Sequence, residues 1–128
     1  MTKGYNKENT SIHLMNYHFV FCPKYRRKLL IGKLKKRLEQ LIKQKAQEHN
    51  LKILELQIMP EHVHLFIQGT PNLAPNKIVG DIKGTSSRIL RQEFPELLKM
   101  PTLWTRSYFV STAGNVSKFV IQKYIQEQ

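Results

Sequence analysis

Only Pro60 and Glu61 separate the apolar-rich segment LKILELQIM at 51–59 from HVHLFIQ at 62–68. A crossover between parallel strands takes a dozen or more residues, so two strands joined this closely must form an antiparallel hairpin. Side chains alternate between the faces of a strand, which puts Val63, Leu65 and Ile67 on one side. His62, His64, Phe66 and Gln68 then share the other. The preceding strand carries Leu51 and Ile53 and, after a phase break, Leu54, Leu56 and Ile58.

The rest of the chain supplies elements to pack on that hairpin. IHLMNYHFVFC at 12–22 is rich in aromatic and β-branched residues and reads as a strand stopped by Pro23. After the basic turn KYRRK, residues 33–50 place Leu34, Leu38, Leu41, Ile42 and Ala46 at helical spacing, with Asn50 at the end. Pro71 and Pro75 bracket a loop, and 76–92 reads as a second helix with Ile78, Val79, Ile82, Ile89 and Leu90 on one side. LWTRSYFVS at 103–111 is a fourth strand, and 116–127, after Ala113-Gly114, a short terminal helix. The predicted order is β-α-β-β-α-β plus a helix. That is an α+β chain of the ferredoxin-like or RRM-like kind, an antiparallel sheet with helices on one face and a C-terminal helix carrying Tyr124. With 128 residues it is expected to form a single domain over 1–128, and one sheet face is left open.

Charge narrows the partners. Twenty-one Lys and Arg against nine Asp and Glu leave a formal +12, which points to nucleic acid. A membrane surface is the competing polyanion, but no apolar run approaches a span and no amphipathic anchor is evident. Cys22 is the only cysteine, so no intrachain disulfide can form; it reads as a small buried hydrophobe of a cytoplasmic protein.

Two groups carry chemistry. His62 and His64 project from the open face ~7 Å apart along the strand, near enough for both imidazoles to reach one divalent ion. With no CxxC or HExxH to complete a closed zinc site, an open coordination sphere suits catalysis better than structure; a solvated polar pair is the plainer alternative. His13, His18 and His49 read as ordinary strand and helix residues, with His18 able to come near the pair, and Glu61 as a turn residue, with a third metal ligand as the lesser alternative. On the last helix, Tyr124 and Gln128 are four apart and share a face. Tyr124 is either a member of the apolar stripe of Val116, Phe119 and Val120 or a nucleophile beside a metal that the Gln128 amide oxygen helps to hold.

Five stretches in order, YHFVFCPKYRRK at 17–28, IMPEHVHLFI at 58–67, IKGTSSRILRQEFPEL at 82–97, LWTRSYFVSTAGNVS at 103–117 and IQKYIQEQ at 121–128, resemble the HUH-type single-tyrosine transposases of the insertion-sequence 200/605 group. The resemblance implies that His62, His64 and Gln128 are metal ligands and that Tyr124 is the nucleophile. It implies Mg²⁺ or Mn²⁺ as cofactor, homodimers in which the tyrosine helix of one subunit can serve the histidine pair of the other, and single-stranded DNA with hairpin ends as substrate. Cleavage would leave a 5′-phosphotyrosine and a free 3′-OH and need no nucleotide cofactor.

DNA contacts are expected from Lys24, Tyr25, Arg26, Arg27 and Lys28, with Lys83 and Arg88 on the second helix. A hairpin-nicking nuclease of the same chemistry and a non-catalytic single-strand-binding module are the rival readings. Against the module, His62 and His64 occupy the face of the third strand where an RNA-recognition sheet needs aromatics.

Overall fold

The computed structural model describes residues 14–112 and 116–128. Its elements are β1 (Met15–Phe21), α1 (Gly32–Glu48), β2 (Lys52–Met59), β3 (His62–Gly69), α2 (Pro75–Glu93), β4 (Phe109–Ser111) and α3 (Lys118–Gln126), with short 3₁₀ turns at Lys24–Arg26 and Pro95–Lys99. The sheet order is β2-β3-β1-β4, and each neighbouring pair is antiparallel. This is the ferredoxin-like arrangement expected from the element order. His13 and Ala113-Gly114 lie outside the described residues.

The hairpin alternates as its sequence dictates: Val63, Leu65 and Ile67 are fully buried, while His62, His64, Phe66 and Gln68 are half-buried. Val63, Leu65 and Ile67 pair with Ile58, Leu56 and Ile53 of β2, and the register slips by one residue between Ile53 and Glu55. The phase break in the sequence is therefore a β-bulge at Leu54, which restores the alternation on either side. Leu54 itself is exposed, so it is not one of the core residues of this strand.

Both long helices meet the core through the residues their periodicity selects: Leu34, Leu38, Leu41, Ile42 and Ala46 from α1, and Ile78, Val79, Ile82 and Leu90 from α2, with Ile89 half-buried. Asn50 ends α1 in a left-handed conformation (φ 57°). The N–H groups of Asn50 and Leu51 return to the carbonyls of Gln47 and Ala46, satisfying two orphan acceptors of the last turn in a Schellman motif. Pro75 opens α2, where its missing N–H costs nothing.

The fourth strand departs from expectation. Only Phe109–Ser111 pairs regularly, with His18–Val20 of β1, whereas 103–111 reads as continuous strand in the sequence. The reason lies in Leu103 and Trp104, consecutive residues that are both buried. A regular strand would send them to opposite faces. The segment instead crosses beside Cys22–Lys24: the Thr105 N–H donates to the Cys22 carbonyl and the Lys24 N–H to that of Leu103. Trp104 packs edge-on against Phe21 with centroids 4.9 Å apart, and its indole N–H donates to Ser86 Oγ at 3.0 Å.

Candidate metal and nucleophile site

On the sheet face opposite the two long helices, cross-strand pairing builds a row from His64 to Val20 to Phe109. Directly opposed residues share a face. The row leads to α3, because the Tyr124 ring lies 6.0 Å from that of Phe109. The face is only partly open: Val20 and Cys22 are fully buried and His18 nearly so. Burial, and then the nearby Glu61 carboxylate, push the Cys22 thiol up to about 11, so it is the inert small hydrophobe expected.

Each histidine of the pair has a distinct neighbour. His62 Nδ1 lies 3.0 Å from Glu61 Oε1. For Glu61, burial works to raise the carboxyl, but bonds from its own backbone and from His62, with Lys28 nearby, hold it below the usual range. His64 Nε2 lies 3.2 Å from His18 Nδ1, and His18 stacks nearly parallel on Phe66 at 3.9 Å. Burial, reinforced by the neighbouring His18, lowers the pKa of His64. A neutral imidazole is the form that coordinates a metal.

Among the described residues no three His, Cys, Asp or Glu side chains converge as a metal cage. The donors that fit a divalent ion are the two imidazoles of one strand face, and any third must come from another chemical type, for which a glutamine amide qualifies. Gln128 is engaged elsewhere in this arrangement: its Oε1 accepts from Ser107 Oγ at 2.9 Å and its amide nitrogen donates to the Tyr124 carbonyl at 3.0 Å. Ser107 Oγ also lies 3.0 Å from the Tyr124 hydroxyl. A serine has one hydrogen to donate. Since Gln128 takes it, the Tyr124 phenol donates to Ser107 and is held protonated. Burial also raises its pKa. Ser107 went unnoticed in the sequence, where an isolated serine carries no signal.

The basic residues divide into two kinds. The turn Lys24–Arg26 carries Tyr25 and Arg26 in left-handed backbone (φ 61° and 51°) and projects the Tyr25 ring into solvent, 63% exposed. Lys24 Nζ and Arg27 lie 5.4 and 5.8 Å from that ring. Arg26 Nη1 donates to the Ile125 carbonyl of α3 at 3.1 Å. A cavity of about 610 Å³ opens between this turn, the hairpin and α3, lined by Tyr25, Arg26, Lys28, Glu61, His62, Gln122, Ile125 and Gln126. Arg88 is exposed on α2. The ammonium of Lys83, for which DNA contact is expected, donates to the carbonyls of Thr105 and Ser107 at 2.7 and 2.9 Å. Burial brings its pKa down to about 8. Lys83 thus ties down the irregular segment that carries Ser107.

Residues 11–128 match the family described as Transposase IS200 like. The chain belongs to the IS200-like transposases. It is 32% identical to the ISDra2 transposase TnpA of Deinococcus radiodurans over 120 residues, 91% of this chain and 86% of that protein. It is 33% identical to the transposase for insertion sequence element IS200 of Salmonella typhimurium over 116 residues, 88% of this chain and 75% of the relative. A crystal structure of a transposase from Deinococcus radiodurans superposes with a TM-score of 0.86 at 30% identity, covering 97% of this chain and 98% of the other. The protein is therefore a single-strand transposase acting on DNA. Among its described residues no helix is long and apolar enough to cross a membrane.

Proposed function

We propose that this transposase cleaves and rejoins single-stranded DNA at hairpin-bearing element ends, in the cytoplasm. Tyr124 is the nucleophile, and His62, His64 and Gln128 hold a divalent cation, Mg²⁺ or Mn²⁺. The reading is carried by one observation: His64, with His62 beside it on the same strand face, is joined through Val20 to Phe109, against which the Tyr124 ring packs.

In the cleavage step the Tyr124 oxygen attacks the scissile phosphorus and its proton passes to solvent. The bond from phosphorus to the 3′ oxygen breaks, leaving a 5′-phosphotyrosine and, once protonated, a 3′-OH. Attack of a 3′-OH on that linkage reverses the exchange, so bond energy is kept and no nucleotide is consumed. When bound, the cation supplies Lewis-acid polarisation of the phosphate. The burial that keeps His64 neutral keeps its lone pair available. The Gln128 amide oxygen has two lone pairs, and its bond from Ser107 occupies one of them.

A homodimer accounts for α3. No residue of this helix is buried, and Phe119 and Val120 are 73% and 43% exposed. A nine-residue helix is too short to hold itself together. A second copy covers the exposed apolar residues of this helix.

Two tests follow. With labelled single-stranded DNA containing the element end, a covalent protein–DNA adduct is expected in Mn²⁺ or Mg²⁺, lost in EDTA and restored by adding the ion back. Full adduct yield in EDTA would show that no metal is involved. For the DNA path, log affinity falls with log salt by about 0.7 per phosphate contact on single strands. Arg27→Ala is expected to flatten that slope by about this amount, while Lys83→Ala leaves it unchanged because its ammonium is spent on backbone carbonyls. Equal slope changes in both would put Lys83 on the DNA.

A further inference from the structure

We propose that Glu61 is the positioning residue of the metal site: its carboxylate fixes the ring orientation and tautomer of His62 so that Nε2 presents its lone pair to the ion. The inference rests on the reading of His62 as a metal ligand. A carboxylate has no hydrogen to donate, so in the 3.0 Å contact between Glu61 Oε1 and His62 Nδ1 the hydrogen belongs to Nδ1. A neutral imidazole carrying its hydrogen on Nδ1 has its only in-plane lone pair on Nε2. The tautomer of His62 is thereby chosen before any ion arrives.

Three features hold Glu61 in place for this task. It sits in the two-residue connection of the β2–β3 hairpin, so its Cα is set by the register on both sides, Met59 opposite His62 and Ile58 opposite Val63. The carbonyl of Pro60 accepts from the Leu30 N–H at 3.0 Å, which anchors the turn to the segment leading into α1. Lys28 lines the same cavity as Glu61 and His62, and its positive charge favours the carboxylate. With side chains 29% and 17% exposed, Glu61 and His62 form their contact largely out of water, where a charge-assisted hydrogen bond is stronger. His64 has no such anionic partner in its ring contact; its Nε2 faces His18 Nδ1. The carboxylate therefore acts by orienting His62, without using a coordination position.

The measurement is Mn²⁺ affinity of the whole protein, read from the free-ion electron paramagnetic resonance signal without DNA, in wild type, His62→Ala, Glu61→Ala and Glu61→Gln. Loss of an outer partner of this kind weakens metal binding about 10- to 100-fold. Glu61→Ala is expected in that range. Glu61→Gln, whose amide oxygen still accepts from Nδ1, is expected to recover much of the loss, and His62→Ala to lose more than either. A purely structural role for Glu61 would change the metal-free melting temperature and leave the affinity alone. Wild-type affinity in Glu61→Ala, with binding lost in His62→Ala, would overturn the positioning role and leave the site standing. Glu61→Gln as weak as Glu61→Ala would also overturn it, making Glu61 a direct ligand. Wild-type affinity in His62→Ala would remove the metal site itself. Should Glu61→Ala misfold by circular dichroism, Glu61→Met, which fills the same space and cannot accept from Nδ1, is read by the same criterion.

Discussion

Tyr124→Phe is expected to eliminate the covalent DNA adduct, by at least about 10³-fold in rate, while single-strand binding stays within about twofold of wild type. Removing a nucleophile removes the reaction path and not merely a share of transition-state stabilisation, so the loss resembles that of a catalytic serine. The ring of Tyr124 is what packs on Phe109, and phenylalanine keeps it. The hydroxyl is lost, and with it one bond to a serine that retains Gln128 as a partner. The cost in folding is then small, about 1 kcal/mol or less for a bond of this type. In wild type, burial holds the Tyr124 phenol above its ordinary value of 10.0. Where deprotonation limits attack, the rate climbs as pH rises from 7 to 9 and does not level off in that range. Denaturing gels of the adduct across pH measure both effects. An adduct of wild-type yield in Tyr124→Phe would assign the chemistry to another residue.

The second large effect is on stability. Phe21→Ala is expected to cost about 3–5 kcal/mol, the usual range for deleting a buried aromatic side chain. That is a large share of the roughly 5–15 kcal/mol that holds a domain together. Phe21 is fully buried, pairs with Val63 and supports Trp104 edge-on at 4.9 Å. Its loss leaves a cavity at the point where β1, β3 and the irregular 103–108 segment meet. Because Val63 lies between His62 and His64, loosening there also disturbs the histidine pair. Trp104 is the only tryptophan, so its fluorescence in a denaturant titration reports the change directly. An unchanged midpoint would mean that the cavity collapses without loss.

The helices and the hairpin were legible because their information is local. Every core residue predicted for α1 is buried, since a 3.6-residue period marks a face without reference to any partner. The break in phase at Leu54 was visible as well, although that the extra residue bulges outward follows only from pairing with β3. The segment 103–108 was misread because its aromatic and β-branched composition suits a strand, while two consecutive side chains are drawn into the core. The contacts of Lys83 were not legible for a related reason: a lysine on an amphipathic helix reads as solvent-facing, and the backbone carbonyls its ammonium meets come from elsewhere in the chain.

The two residues between the strands at 51–59 and 62–68 determined by themselves an antiparallel hairpin. With the side-chain period of a strand, they also determined that His62 and His64 share the face away from the core. Short connections leave the chain no other way to turn, and alternation leaves the side chains no other direction. What stands against each imidazole was decided by the tertiary structure: Glu61 held by the turn, His18 brought in by β1, and the row through Val20 and Phe109 to Tyr124. His18 and His64 lie 46 positions apart, and Ser107 lies 17 from Tyr124 and 21 from Gln128. Contacts at such separations are set by how the core closes, and no local pattern of residues encodes them.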